Sequence, residues 1–359
     1  MIREEAEVIP IYNAAPKMRA MVFESHGGTE KLKYTYVPTP RPGPHEVIVK
    51  VKACALNHLD IWTLHGMPGV KVSMPHILGC DIAGEVVEKG SKVRRVSLNK
   101  PVVLSPGLPC GKCVHCREGW DSLCDQYKIT GFQGDGGFAE YVKVPAANVI
   151  RVSSRLSYEE WAAIPLVFLT AWHALVTRAQ LQKGESILIH AAGSGVGSAA
   201  IQIAKRLGAT VLATVGSDEK IRRAKALGAD EVINYTKKDF LLEVKRLTQG
   251  RGVNVALEHI GQATFPKSLA SLAKKGRLVT CGVTTGQNTH LDIRYLFARQ
   301  LSVMGCYMGG FHELKKVIRW VEKKRLRPVV DKVFPLREAK QALDRMKSRA
   351  NFGKIIVVP

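Results

Sequence analysis

Apolar and polar positions change rhythm partway along the chain. Residues 19–51 carry short strand-like runs between turn clusters, notably Pro38-Thr-Pro-Arg-Pro-Gly-Pro44 followed by Glu46-Val-Ile-Val-Lys-Val51. Further strands are predicted at Gly84–Glu88, Pro101–Leu104 and Glu140–Val144. These runs predict a compact, mostly β unit over residues 1–155. After Ser154 the pattern turns helical from Tyr158 to Thr177, with Pro165 as a kink or break. Strands and helices then alternate. Strands are expected at Ser186–Ile189, Thr210–Val215, Glu231–Ile233, Val253–Leu257 and Arg277–Thr280, with helices at 198–207, 218–227, 238–248 and 263–273 between them. Alternation at this pitch predicts an α/β unit over 156–310, built on a doubly wound parallel sheet. Gly305-Cys-Tyr-Met-Gly-Gly310 reads as a late strand of that sheet. Residues 311–359 carry two helices, 312–325 and 337–349. They end on Lys354-Ile-Ile-Val-Val358, an apolar run that needs a sheet to join.

The chain has 359 residues, 46% of them hydrophobic and 23% charged, proportions that exclude a disordered or fibrous chain. Its longest apolar stretch, Ile164–Trp172, is too short to span a bilayer. Residues 1–17 open with Arg3 and three glutamates rather than a basic, apolar leader, so a cytoplasmic protein is expected. The net charge of +22 rises most steeply after Phe311, where fourteen basic residues face five acidic ones. Two readings stay open there: a solvated helical face, or a surface for phosphates, a CoA-type substrate or nucleic acid.

Four of the eight cysteines fall close together as Cys110, Cys113, Cys116 and Cys124. The spacing C-x2-C-x2-C-x7-C suits four thiolates around one tetrahedral Zn²⁺, with Pro109, Gly111 and Gly119 supplying the turns. With four sulfur ligands such a zinc has no open position and is structural. A redox CxxC pair is the competing reading. His115 lies between two of the cysteines as a spare donor.

Between a predicted strand and a helix runs Ile187-Leu-Ile-His-Ala-Ala-Gly-Ser-Gly-Val-Gly197. Small residues at Ala192, Ser194 and Gly197 hold the GxGxxG spacing, which allows a tight turn and close approach to a pyrophosphate. Ala192, Gly193, Ser194, Gly195, Val196 and Gly197 are therefore the candidate cofactor loop, with helix amides facing the phosphates. The second strand ends Thr214-Val-Gly-Ser-Asp-Glu-Lys220, without the acid that would bind ribose hydroxyls. Ser217 and Lys220, with Tyr235, are candidates to meet a 2′-phosphate, which favours NADP(H) over NAD(H). Asp218 and Glu219 are expected to open the following helix.

A β unit with a four-cysteine lobe, a dinucleotide unit and a returning tail resembles the medium-chain dehydrogenase/reductase superfamily. The resemblance runs from about Met18 to Pro359. It rests on the zinc lobe, Gly134-Asp-Gly-Gly-Phe-Ala-Glu-Tyr141, Ala192–Gly197, Ala226-Leu-Gly-Ala-Asp230 and Gly353-Lys-Ile-Ile-Val357. It implies a GroES-like catalytic domain (1–155, zinc lobe 109–125), a Rossmann cofactor domain (156–310) and a segment completing the first (311–359). A homodimer or homotetramer is also implied. Alcohol dehydrogenases of the superfamily hold a second, catalytic zinc through a Cys, a His-Glu pair and a further Cys or acid. Here Asn57 stands at the first place and Cys80-Asp81 at the second, and 162–168 offers no ligand. Asn57 with Asp60 is similar to the zinc-independent quinone and enone reductases. The Lys100-Pro101 stretch lacks the Gly-Asp-Arg common at that point in the family.

The resemblance implies an NADPH-dependent reductase of a quinone, an enone or an enoyl thioester. Asn57 and His58 would stabilise the substrate oxygen, Asp60 would orient their loop, and Thr170 would lie near the nicotinamide end of the cleft. One structural zinc is expected per chain. The alternative is a zinc-dependent alcohol or aldehyde oxidoreductase whose catalytic metal uses Cys80, Asp81 and His58. A third reading, nucleic-acid binding, is disfavoured because the lobe (Lys112, Arg117, Glu118, Asp121, Asp125) is nearly neutral.

Overall fold

The computed structural model describes residues 16–359, so the acidic opening of the chain lies outside the described residues. Six parallel strands form one sheet in the order Glu231–Asn234, Thr210–Val215, Ser186–Ile189, Val253–Glu258, Leu272–Thr280 and Ser302–Gly305. The order reverses between Ser186–Ile189 and Val253–Glu258, and ligands of open α/β sheets bind outside the strand ends at such a switch point. This is the α/β doubly wound sheet that the strand–helix alternation predicts.

A second, seven-stranded sheet runs Val149–Arg151, Pro101–Leu104, Asp81–Lys89, Glu46–Ala55, Lys354–Val358 and Val330–Pro335. Tyr141–Pro145 pairs with Glu46–Ala55 beside this path. The apolar run at the end of the chain therefore finds its sheet between a strand from the start of the chain and one just before it. Both of its faces are covered. Ile356 packs into the larger core, under the parallel sheet, while Ile355 and Val357 enter the core of the β unit.

Three local departures have simple causes. Pro165 takes the first position of the helix Pro165–Trp172, so Tyr158–Thr177 splits there and ends in a π-helical turn over His173–Arg178. The last parallel strand stops at Gly305, and 306–310 is a connection rather than strand, leading into the helix Phe311–Glu322. The strand Val330–Pro335 was not anticipated; only Phe334 in it is buried, which leaves too little apolar alternation to mark it. No helix among the described residues is long and apolar enough to cross a membrane.

Candidate active site, cofactor loop and zinc lobe

The sulfurs of Cys110, Cys113, Cys116 and Cys124 lie within 4.8 Å of one another. Ligands at Zn–S distances of about 2.3 Å around a tetrahedron stand about 3.8 Å apart. The Cys113–Cys116 and Cys110–Cys116 separations of 3.4 and 3.9 Å match that spacing. Backbone amides of Lys112 and Cys113 draw the Cys110 thiol down to about 6, while burial and the neighbouring Cys113 push the Cys116 thiol up to about 12. His115 is half-buried and falls outside the group. Among the described residues this is the one group of three or more Cys, His, Asp or Glu with ligand atoms so close.

The second centre lies where Asn57 begins the helix His58–His65. The Asp60 carboxylate accepts from the Asn57 amide (2.7 Å) and from the Gly79 amide (3.1 Å), tying the helix start to the loop before Cys80. Asn57 Nδ2 donates to Asp81 Oδ2 at 2.9 Å and reaches the Cys80 sulfur at 3.3 Å. Asp81 Oδ1 accepts from the Leu166 amide at 2.7 Å. Thr170 is buried one helical turn beyond Leu166, on the same face of that helix.

Lys354 completes this centre and was not singled out in the sequence. Its ammonium, on a residue 4% exposed, donates to Leu56 O (2.6 Å), Asn57 Oδ1 (2.6 Å) and Asp81 Oδ2 (3.0 Å). All three N–H bonds are thereby used. A lysine opening an otherwise apolar terminal strand is the one signal that marks it. The donor set is thus an amide, a thiol, a carboxylate and an ammonium, and the cation standing among them is Lys354.

His58 stands outside this knot. Its ring touches solvent yet lies among protein atoms, 6.3 Å from the Trp62 ring. Desolvation, then the charges of His259, Arg349 and Lys354, lower its pKa to about 4, so it is neutral near pH 7. Burial has the opposite sense for Asp60, pushing its carboxyl up to about 7 against the pull of its two amide donors and Lys354. Between pH 3.8 and 7 the folded chain therefore holds a proton that the unfolded chain releases, so this group's contribution falls as pH rises. Asp60→Asn removes that term. Its stability relative to wild type is expected to improve steadily from pH 4 to 7 in urea unfolding, and parallel pH curves would disprove the shift.

At the switch point, Ser194 caps the helix Gly195–Arg206 by accepting from the Gly197 amide at 2.9 Å. Gly195 and Gly193 are crowded: a Cβ on Gly195 would lie 2.8 Å from both Val167 and the Lys354 stem, and one on Gly193 3.1 Å from Phe352. Gly353 N donates to Gly193 O at 2.7 Å, so the loop Ala192–Gly197, with Val196 on its first helical turn, rests on the returning chain. The arrangement leaves helix amides to face a pyrophosphate. Ser217 is half-buried, with no side-chain cap bond at its helix start. The Tyr235 hydroxyl stands over Gly216, 2.7 Å from where a Cβ would be. Lys220 reaches across to Arg349 O at 2.6 Å, an engagement the sequence did not suggest. Asp218 pairs with Lys237 and accepts from Asn234 Nδ2.

Behind the loop, the buried His190 bonds Ser268 Oγ (2.8 Å) and Thr214 Oγ1 (3.2 Å). Glu258 accepts from Ile260 N, Gly261 N, Thr264 and Ser268. Burial lowers the pKa of His190 to about 4 against the attraction of Glu258, and Glu258, against its own burial, is held below its usual value by attraction to a protonated His190 and by these donors. The network fixes the ends of the two central strands.

Comparison with known proteins gives the same architecture. Residues 43–154 match the family model of the alcohol dehydrogenase GroES-like domain, and residues 195–323 that of the zinc-binding dehydrogenases. The NAD-dependent alcohol dehydrogenase of Saccharolobus solfataricus is 31% identical over 351 residues, covering 95% of this chain and all of that protein. The acryloyl-coenzyme A reductase of Metallosphaera sedula is 31% identical over 344 residues, covering 95% and 99%. A crystal structure described as an NAD-dependent alcohol dehydrogenase is 44% identical, with a TM-score of 0.92 over 95% of this chain and all of that one. The chain belongs to the medium-chain dehydrogenase/reductase superfamily, with the GroES-like and zinc-binding dehydrogenase domains of its alcohol dehydrogenases, and is an NAD(P)H-dependent oxidoreductase.

Proposed function

We propose that this enzyme reduces an activated carbon–carbon double bond or a quinone with NADPH, the substrate being an enone, a quinone or an enoyl thioester. The observation that carries the reading is the Lys354 ammonium bonded to Asn57 and Asp81, where a catalytic metal would need open ligands. A cation and its counter-ion already balance the charge of that centre, and one thiol with one committed carboxylate is a poor zinc site. Bound NADPH supplies the hydride. Charge then builds on the substrate oxygen, which preorganised donors must meet. Asn57 offers the Nδ2 hydrogen that does not bond Asp81; its contacts are long, 3.3 Å to the Cys80 sulfur, a weak acceptor, and 3.4 Å to Ala55 O, and a carbonyl oxygen displaces them. Neutral His58 offers an N–H from the solvent side, and Asp60 orients their loop. NADP(H) is favoured by Ser217, at the end of the strand Thr210–Val215 that closes without an acid, and by Tyr235 over Gly216, with the Lys220 ammonium nearby although it bonds Arg349 O. The structural zinc, the domain limits 1–155, 156–310 and 311–359, and a homodimer or homotetramer belong to the same proposal.

A second reading, zinc-dependent alcohol or aldehyde oxidation through Cys80, Asp81 and His58, is favoured by the alcohol dehydrogenase names among the relatives. Zinc content and substrate range separate the two. The first reading expects one zinc per chain, with NADPH oxidised by quinones, enones or enoyl-CoAs. Two zincs per chain with alcohol oxidation lost on chelation would overturn it.

A further inference from the structure

The zinc lobe grips the connection that follows the last parallel strand at three places. Tyr127, whose amide bonds Cys124 O, meets the Tyr307 ring edge to face, 6.0 Å between centroids. Gly119 O approaches Gly310 so closely that a Cβ there would stand 2.6 Å away. Asp121 Oδ2 accepts from the amide of Phe311, the first residue of its helix, at 2.7 Å. From the other side, Glu313 accepts from Gly310 N at 2.8 Å while bonding His173, and His173 packs on Trp120 of the lobe, 5.6 Å between centroids.

Between these grips sits Met308, at φ +54. A left-handed conformation is uncommon for a residue other than glycine and persists where its surroundings hold it. Met308 is buried in an apolar cluster with Cys80, Ile129 and Phe132, against which Leu59 and Leu166 pack. Cys80 is the residue whose sulfur holds the Asn57 amide. The lobe is therefore linked, through one strained residue, to the apolar wall of the candidate active site.

We propose that the zinc lobe sets substrate specificity: Asp121 and Tyr127 hold Met308 in place, and the wall so formed beside Cys80 receives an apolar chain of several carbons next to the reacting group. Asp121 is on this view a positioning residue. The inference rests on the preceding subsection only in taking Asn57 and Cys80 as the substrate end of the cleft.

Asp121→Ala and Asp121→Asn provide the test, with zinc content measured to show that the lobe keeps its metal. Asn retains an oxygen for the Phe311 amide. In Asp121→Ala the KM for the enone trans-3-nonen-2-one relative to trans-3-penten-2-one, with NADPH, is expected to rise at least tenfold. If the enzyme oxidises alcohols instead, the same ratio is read with 1-octanol and ethanol. The kcat for the short substrate should stay within twofold, and Asp121→Asn should restore the ratio. Amide hydrogen exchange in 304–312 should quicken at least tenfold in Asp121→Ala. An unchanged ratio, or equal losses on the long and short substrates, overturns the proposal. If neither substrate pair is turned over, the same ratio is read with trans-2-octenoyl-CoA and crotonyl-CoA, and unaltered exchange in 304–312 refutes the grip itself.

Discussion

Lys354→Met is expected to destabilise the folded enzyme by about 3–5 kcal/mol, the usual cost of stripping one partner from a buried ion pair. Met preserves the apolar length of the side chain, so little packing is lost. What disappears is the only cation bonded to Asp81 among the described residues, Asp81 itself having no solvent exposure. Asp81 keeps two donors, Asn57 Nδ2 and the Leu166 amide, while Leu56 O and Asn57 Oδ1 lose theirs. Combining Lys354→Met with Asp81→Asn removes the stranded charge and is expected to recover more than half of the loss. Urea unfolding of the four proteins in that cycle measures the coupling. A loss below about 1 kcal/mol, or additive single effects, would mean that the pair is solvated and not a structural element of the site. Turnover should fall as well, by roughly tenfold or about 1.4 kcal/mol in the barrier, because the Asn57 amide is no longer held in one orientation.

What the sequence discloses here is what depends on near neighbours. The four cysteines whose sulfurs gather lie within one short segment, and the glycine loop lies between one strand and the next helix, so spacing alone marks both as candidates. The parallel sheet follows from alternation of short elements. The Asn57–Asp60 pair was legible as chemistry. It is also the first and fourth place of a helix start, with Asp60 accepting from the Asn57 amide, and that structural role explains the helix His58–His65 that no apolar stripe announces. Lys354 was not legible because its partners lie 273 to 298 residues away. The same holds for Asp121 and Phe311, 190 residues apart. Lys220, a candidate to meet a 2′-phosphate, also bonds Arg349 O, because the returning segment lies across the glycine loop. No local pattern encodes such meetings; those of Lys354 exist only once the last strand has entered the sheet beside Glu46–Ala55.

Asn57→Ala is expected to lower kcat by about 10²- to 10³-fold, the loss typical of removing one preorganised donor from a developing oxyanion. The KM for NADPH should stay near its wild-type value, since the cofactor loop bonds Gly353 and packs on Phe352, not on Asn57. The substitution also takes a partner from both Lys354 and Asp81, so part of any loss is structural. Cys80→Ala separates the two effects. It removes the weak sulfur acceptor from Asn57 Nδ2 and leaves the contacts to Asp81 and Lys354 intact. If Asn57 donates to the substrate oxygen, Cys80→Ala leaves that hydrogen only its 3.4 Å contact to Ala55 O, and kcat should hold within threefold of wild type or rise. If Cys80 is instead a ligand of a catalytic metal, the same variant should lose both activity and one zinc per chain. Steady-state kinetics on the two single variants, with zinc content beside them, thus distinguishes an amide-assisted reduction from a metal-assisted oxidation. An Asn57→Ala enzyme with unchanged turnover would leave His58, neutral and open to solvent, as the remaining side-chain donor at this end of the cleft.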